Sequence, residues 1–335
     1  MSFQRTKSIL AAMLAVAGVA GAGDYSTWSS YRTATISTTG MGLTANVTNI
    51  PVALRFTAAA HKDMLDSAAT QILAGGADIR VTKADGTTDV PFEIEHASTG
   101  PTGSLLLWVL ADTVKQNDAA AATFRVYWGK AGATTLSNPK ATFDSTKGYQ
   151  AVFHFAETGG AGTAFTDAVR GLTTTTVGTA NNTAAPLLGT NSRAFGTSTG
   201  NVDNAANQAF AAYFNPAAGH PLSAHTGPIT ISAWTRSSLT NTGNRASGDK
   251  HIVYHGAGTT GANHVYLKRW GVPGTATGAD AAEGGNRIVA GGDTLVTNGG
   301  PYVGFAEGGA TLEHWIFVSA VWDGTNWTTR KIKRW

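Results

Sequence analysis

Apolar and polar residues alternate with a period of two along most of the chain, and this alternation predicts β-strands. In the first half, strands are predicted at Tyr31–Ser37, Val52–Thr57, Ala77–Thr82, Val90–His96, Ser104–Leu110 and Thr123–Trp128. Ser104–Leu110 is apolar on both faces, which predicts a central strand buried on both sides. Ala60–Ala69 is the one predicted helix, and Asp85-Gly86 predicts a hairpin turn. About seven short strands at this spacing predict a β-sandwich.

The stretch from Gly148 to Glu157 is predicted to be the strand that opens a second domain. Its odd-numbered residues from Tyr149 to Phe155 would share one face, and its even-numbered residues would share the other. The expected domains are therefore residues 23–147 and 148–335. The expected fold class is all-β, with two β-sandwich, jelly-roll-like domains in tandem after a signal peptide.

Residues 1–22 have the three parts of a secretory signal peptide. Arg5 and Lys7 form a basic start, Ile9–Val19 is apolar, and Ala20-Gly21-Ala22 resembles a cleavage site. The alternative is a membrane anchor, but the apolar run is shorter than the roughly 20 residues that span a bilayer. Since no later run of 18 apolar residues occurs, we expect no transmembrane segment after cleavage. The expected location is periplasmic, outer-membrane-associated or extracellular.

Composition favours a neutral, turn-rich surface over a nucleic-acid-binding one. Charged residues are 13% of the chain, about half the usual share of roughly 25%. Without Arg5 and Lys7, 22 basic residues stand against 21 acidic residues, a net charge of +1. A nucleic-acid binder would show a basic patch or stripe, so we expect no nucleic-acid partner. The chain has no cysteine, which excludes a disulfide, a thiol nucleophile and a Cys-ligated zinc ion.

The first domain carries a series of short motifs in a fixed order. They are Trp28 with Tyr31-Arg32, Ile50–Leu54, Gly76–Val81, Asp85-Gly86, Val90–Glu95, Leu107–Val109, Arg125–Gly129 and Thr142–Asp144. Over about residues 28–147 this series resembles the bacterial domain-of-unknown-function family numbered 2341. The resemblance implies an exported protein near envelope transport systems of the ExbB/TolQ kind, often beside laminin-G-like domains, and it implies no reaction.

The second domain resembles the laminin-G-like, concanavalin-A-like lectin superfamily. The matching pieces are His154-Phe155, Phe165–Ala168, Gly171-Leu172, Ala194–Gly196, Pro228–Thr235 and His314–Gly324. The resemblance implies a jelly roll of two antiparallel sheets. After Trp327 the superfamily continues with further strands, whereas this chain ends in the basic run 328–335. We expect a C-terminally incomplete domain with an unpaired sheet edge, and a natural basic tail is the alternative.

A cluster of aromatic and planar polar residues in the second domain is the candidate ligand site, because sugars are bound by aromatic faces together with polar groups. Its members are Tyr254, Asn263, His264, Tyr266, Arg269 and Trp270. Packing in the core is the alternative role for this group, and core positions are expected for Trp234, Trp315 and Trp322.

Calcium is the one cofactor that the sequence brings into question, since some laminin-G-like domains bind it at their rim. Asp167, Asp203 and Asn204 are oxygen donors in predicted loops and suit a hard cation. They are equally suited to turns in which their side chains bond to the nearby backbone. A site made of His251, His255 and His264 would need a bend, because positions four apart on a strand lie about 13 Å apart.

Three short motifs resemble catalytic motifs, and each has a simpler structural explanation. Gly196–Gly200 fits G-x-S-x-G without the helix that a nucleophile elbow needs. Gly256–Gly261 fits G-x-G-x-x-G but lies between two predicted strands, not in a βαβ unit. Glu93 and Glu95 could act as a carboxylate pair in glycoside hydrolysis, or simply face solvent.

These observations predict an exported, non-enzymatic protein that recognises a glycan or a protein at the bacterial cell envelope. One alternative is a structural or accessory component of an envelope transport or adhesion system that binds no sugar. The other is a carbohydrate-active enzyme.

Overall fold

The computed structural model describes residues 23–158, 163–174, 180–183, 192–195, 227–235, 250–255, 265–271, 286–291, 303–306, 315–323 and 327–334. These residues form antiparallel sheets with a few short helical turns, so the protein is all-β. The chain divides into two compact units between Phe143 and Asp144. Among the described residues, no helix has the length and apolar character needed to cross a membrane. The predicted signal peptide lies outside the described residues.

Unit 1 contains six described strands arranged in two sheets. The strands are β1 (Ser30–Ile36), β2 (Val47–Thr57), β3 (Arg80–Lys83), β4 (Phe92–Ser98), β5 (Ser104–Val114) and β6 (Ala122–Trp128). The helices are α1 (Lys62–Leu65) and α2 (Pro139–Thr142), and Ala74–Gly76 forms a 3-10 turn. One sheet has the order β1–β6–β3 and the other β2–β5–β4, with every pairing antiparallel.

Strand β5 confirms the prediction of a central, doubly buried strand. It pairs with β2 on one side and with β4 on the other, so that Val109 lies opposite both Val52 and Phe92. Leu106 and Leu107 point to opposite faces, yet both are buried. Apolar side chains from both sheets meet in one hydrophobic cluster that holds unit 1 together.

The predicted helix at Ala60–Ala69 is wrong in length. Helix α1 ends at Leu65, because Asp66 adopts a non-helical backbone with φ −137°. The predicted strand at Ala77–Thr82 starts only at Arg80. Asp78 is fully buried, and its carboxylate accepts hydrogen bonds from the Leu73 and Gly129 amides over 2.8 and 2.7 Å. Side-chain-to-backbone bonding of this kind competes with a regular strand.

Unit 2 contains nine described strands. They are β7 (Ala180–Thr183), β8 (Ser192–Phe195), β9 (Ile229–Thr235), β10 (Lys250–His255), β11 (Val265–Gly271), β12 (Asn286–Gly291), β13 (Val303–Ala306), β14 (Ile316–Trp322) and β15 (Trp327–Arg334). The described sheets have the orders β10–β11–β12–β13, β15–β14–β9 and β7–β8, all antiparallel. In β9, Ile231 is buried between exposed Thr230 and Ser232, as its alternation predicts.

The predicted strand at Gly148–Glu157 is wrong. Residues 149–158 are described and form no strand. Phe155 has φ +56°, a left-handed backbone that interrupts the extended conformation. The Val152 amide donates to the Asp167 carboxylate over 2.9 Å, and the Ala168 amide donates to the Val152 carbonyl over 2.9 Å. The segment is therefore hydrogen-bonded to the turn around Asp167.

The C-terminal basic run is part of the sheet structure of unit 2. Its residues 328–334 belong to β15, which pairs with β14 from Trp322↔Trp327 to Ile316↔Arg334. The described sheet therefore ends on a strand that carries Lys331 and Lys333 in its sequence. Lysine on edge strands discourages pairing with other chains.

Candidate functional site

Four of the six predicted ligand residues lie on two neighbouring strands of unit 2. Strand β10 carries Tyr254, and β11 carries Tyr266, Arg269 and Trp270. Tyr254 lies directly opposite Tyr266 in the antiparallel register. The two remaining residues, Asn263 and His264, lie outside the described residues.

The antiparallel pairing of β10 and β11 argues against a dinucleotide-binding role for the glycine motif between them. Gly256–Gly261 itself lies outside the described residues, but it belongs to the segment 256–264 between His255 and Val265, which are register partners. A dinucleotide-binding loop leads from a strand into the helix of a parallel βαβ unit. Two antiparallel neighbours do not form such a unit, so the strands that flank this motif give it no βαβ context. The Gly196–Gly200 motif also lies outside the described residues.

Asp167 is the one predicted calcium ligand that the structure describes. Its side chain is fully buried. Oδ1 accepts from the Val152 and Val169 amides over 2.9 and 3.1 Å, and Oδ2 accepts from the Arg170 amide over 2.9 Å. These are the contacts of a turn-forming aspartate.

The calcium site itself stays a prediction, because Asp203 and Asn204 lie outside the described residues. His264, one of the three histidines considered above, also lies outside the described residues. Among the residues that the structure describes, no group of three or more His, Asp or Glu side chains is placed to share a metal ion.

Glu93 and Glu95 do not form the regular, solvent-facing pair that the strand pattern predicts. The β4–β5 register shifts between Ile94 and His96, so Glu95 occupies a bulge. Glu93 is buried, with 8% of its surface exposed. Glu95 accepts a hydrogen bond from Trp108 Nε1 over 2.5 Å. The exposed position expected for Glu93 is therefore wrong, since Glu93 lies opposite Trp108 in the regular part of the register and is buried there.

Unit 1 contains a cleft of about 280 Å³ that the sequence patterns did not predict. Strands β1 and β2 are edge strands of the two described sheets, and both border the cleft. The lining residues are Arg32, Thr33, Ala34, Thr35, Ala53, Leu54, Arg55, Phe56 and His61. The cleft is thus an opening between two sheet edges, with charged and aromatic groups at its wall.

Arg32 occupies the inner row of β1. Ala34 and Ile36 share this row and pack against the hydrophobic cluster. The Arg32 guanidinium donates from Nη2 to Asp63 Oδ1 over 2.7 Å. Its Nε is buried and has no hydrogen-bond partner within the described part of the chain. Arg32 therefore uses Nη2 to bind Asp63 of α1, while its buried Nε–H has no acceptor among the described residues.

His61 stands beside Arg32 at the start of α1. Its ring contacts the Phe56 ring edge-on, with centroids 5.1 Å apart. Its Nδ1 is a second buried atom without a hydrogen-bond partner among the described residues. Burial and then the Arg32 charge lower the pKa of His61, and the smaller effect of Asp63 raises it. The imidazole is therefore neutral at pH 7.

The sequence carried one signal for this cleft. The alternation of β1 places Arg32 in the same row as Ala34 and Ile36, and a charged residue in an apolar row of a strand needs a partner. His61 and Asp63 lie about 30 residues downstream, His61 in a loop and Asp63 in a short helix. Tertiary packing brings them close to Arg32, and no local sequence pattern predicts this proximity.

The outer face of the β1–β6–β3 sheet carries a separate row of stacked aromatic rings. The Tyr25 and Tyr127 rings stack at 4.9 Å, and Tyr31 lies 5.4 Å from Tyr127. The Arg125 guanidinium lies over the Tyr31 ring at 5.3 Å. Tyr31 is 54% exposed, so this face presents aromatic surface to solvent.

No protein-family model, curated protein or solved structure matches the chain. The two family resemblances stay predictions that rest on the motifs quoted above.

Proposed function

We propose that this protein is exported to the bacterial cell envelope, where it binds a glycan through the β10–β11 region of unit 2 and catalyses no reaction. The observation that carries the proposal is the register that sets Tyr254 opposite Tyr266. It joins residues 12 positions apart in sequence into one pair on neighbouring strands.

The spacing of this pair suits recognition of an extended ligand. Residues directly opposite on antiparallel strands lie about 4.5–5.5 Å apart, so two tyrosine positions form one continuous patch. Trp270 follows Tyr266 by four residues, which is about 13 Å along the strand, at a position of the same parity. Arg269 lies at a position of the opposite parity, so it is not part of this row. Aromatic surface with a few polar groups is the composition that sugar recognition requires.

The envelope location rests on the signal-peptide pattern of residues 1–22. The proposed architecture is two β-sandwiches in tandem, with a jelly roll in unit 2. The antiparallel sheets of each unit support it, as does the single hydrophobic cluster that both sheets of unit 1 supply.

A glycan array probed with residues 23–335 tests the proposal. We expect binding to a restricted set of oligosaccharides that is lost in Trp270→Ala. Tyr31→Ala is the matched control, because Tyr31 is an exposed aromatic residue of unit 1. It should leave binding unchanged. Circular dichroism of each variant checks that it is folded.

Two results would overturn the proposal. Silence across the array favours the structural or accessory role in an envelope transport or adhesion system. Release of reducing sugar from any polysaccharide by the purified chain favours the enzyme.

A further inference from the structure

We propose that the cleft between β1 and β2 of unit 1 binds the carboxylate of a small ligand, with Arg32 as its principal donor. This inference concerns a different unit from the proposed glycan surface and does not depend on it.

The first argument comes from the buried donor. Arg32 Nε–H can only donate a hydrogen bond, and it is buried without a partner among the described residues. Buried polar groups in native proteins are nearly always hydrogen-bonded, so each exception needs an explanation. An acceptor atom on a ligand in the cleft would satisfy this donor after a small shift of the Arg32 side chain, which is 37% exposed, turns Nε towards the cleft. The bond to Asp63 holds the guanidinium in place through Nη2 and leaves Nε unused.

The second argument comes from charge. Arg32 and Arg55 both line the cleft, and no described residue in its lining carries a carboxylate. Asp63 neutralises Arg32 from α1, which leaves the exposed Arg55 as a net positive charge at the wall. A carboxylate has two acceptor oxygens, so one can accept from Arg32 Nε while the other meets a second donor. His61 Nδ1 supplies that donor when the neutral ring carries its proton there.

The third argument comes from size. At about 280 Å³ the cleft lies just below the roughly 300–1,000 Å³ of sites for drug-sized ligands. It therefore suits one small acid. The carboxylate can belong to a simple organic acid or to an acidic sugar, and both present the same group to Arg32.

Nuclear magnetic resonance of the arginine Nε–H groups tests this directly on residues 23–335. Acetate, galacturonate and galactose are added in turn to the ¹⁵N-arginine-labelled protein. We expect a saturable shift of the Arg32 Nε–H signal with a carboxylate and none with galactose. Equal affinity for acetate and galacturonate identifies a simple acid site, and preference for galacturonate identifies an acidic-sugar site. The Arg125 signal, on the outer face of the same sheet, should not move.

Substitutions complete the test. Arg32→Lys keeps the positive charge but removes the Nε donor, so we expect at least a tenfold loss of carboxylate affinity. Arg125→Lys makes the same chemical change outside the cleft and should leave affinity unchanged. The inference is overturned if neither acid shifts the Arg32 signal in the wild-type protein, if galactose shifts it equally, or if folded Arg32→Lys binds as the wild type does.

Discussion

Arg32 and Asp63 form an ion pair that joins an edge strand to a short helix. The guanidinium Nη2 lies 2.7 Å from the Asp63 Oδ1, and the two side chains are 37% and 50% exposed. The pair links β1 to α1 across 31 residues of sequence. It neutralises a charge in the inner row of β1, and inward-pointing charges on edge strands also discourage sheet-to-sheet association.

Loss of this pair should cost little stability. We expect Asp63→Asn to lower the free energy of unfolding by at most about 1 kcal/mol, because both side chains are partly solvated and water screens the attraction. Urea denaturation measures the change. Asp112→Asn, which removes the exposed Lys83–Asp112 pair, is the matched control. A loss of several kcal/mol for Asp63→Asn alone would show that the pair organises the cleft.

The stability of the protein should fall as the pH drops below about 6.5. Burial, followed by the charge of Arg32, lowers the pKa of His61, so the unfolded chain binds its proton more readily than the folded chain does. The stabilising contribution is therefore present above the ordinary histidine pKa of about 6.5 and is lost as the pH falls through the lower folded value.

Thermal unfolding of His61→Gln between pH 7.5 and 5 measures this dependence, and it should be shallower than in the wild type. Burial also lowers the pKa of His96, so His96→Gln provides a second histidine variant for comparison. An unchanged slope in His61→Gln would contradict the assignment of the dependence to His61.

The turn at Asp85-Gly86 should contain an unusually acidic aspartate. Asp85 accepts from the Thr88 hydroxyl over 2.6 Å and from the Thr88 and Thr87 amides over 2.9 and 2.8 Å. These bonds favour the charged form and lower the pKa of Asp85 to about 2. We expect Thr88→Val to raise that pKa towards the ordinary value of about 3.9, as measured by a carbon-13 titration of the carboxyl group.

Thr87→Val is the matched control for this turn. It removes a hydroxyl of the neighbouring residue while both backbone donors stay in place, so the pKa of Asp85 should change little. The stabilising effect of Asp85 should be fully present above the ordinary pKa of about 3.9 and should be lost progressively as the pH falls from there through about 2. A titration of Asp85 near 4 in the wild-type protein would disprove the turn geometry.

Substitution of Asp167 should destabilise unit 2. Asp167→Ala removes the acceptors of three backbone amides at a fully buried position. At about 1 kcal/mol for each bond, we expect a loss of about 3 kcal/mol. Urea denaturation gives the total, and hydrogen exchange at the Val152 amide reports the local change.

Asp144→Ala is the control for Asp167. Asp144 accepts from the Thr146 amide at an exposed position, so its loss should cost about 1 kcal/mol. Equal effects of the two substitutions would contradict the structural role of Asp167. Titration of calcium into both variants and the wild type also tests the predicted calcium site.

The strand pattern predicted much of unit 1 because strand periodicity is a local property. The predicted Thr123–Trp128 is observed as Ala122–Trp128, and Tyr31–Ser37 as Ser30–Ile36. The turn at Asp85-Gly86 is also where the sequence predicts it, with Gly86 at φ +80°. In each case neighbouring residues carry the full signal.

By itself, the sequence determined the all-β class, the central position of β5 and the alternation of β9, since burial and strand period are written in consecutive side chains. Only the tertiary structure decided that residues 149–158 form no strand. There the Val152 amide donates its hydrogen bond to the Asp167 side chain, 15 residues away, instead of to a neighbouring strand. The tertiary structure also decided the cleft, where packing of two sheets brings Arg32 and His61 together. Contacts between residues far apart in sequence produce no periodic pattern along the chain, and the cleft is built from such contacts.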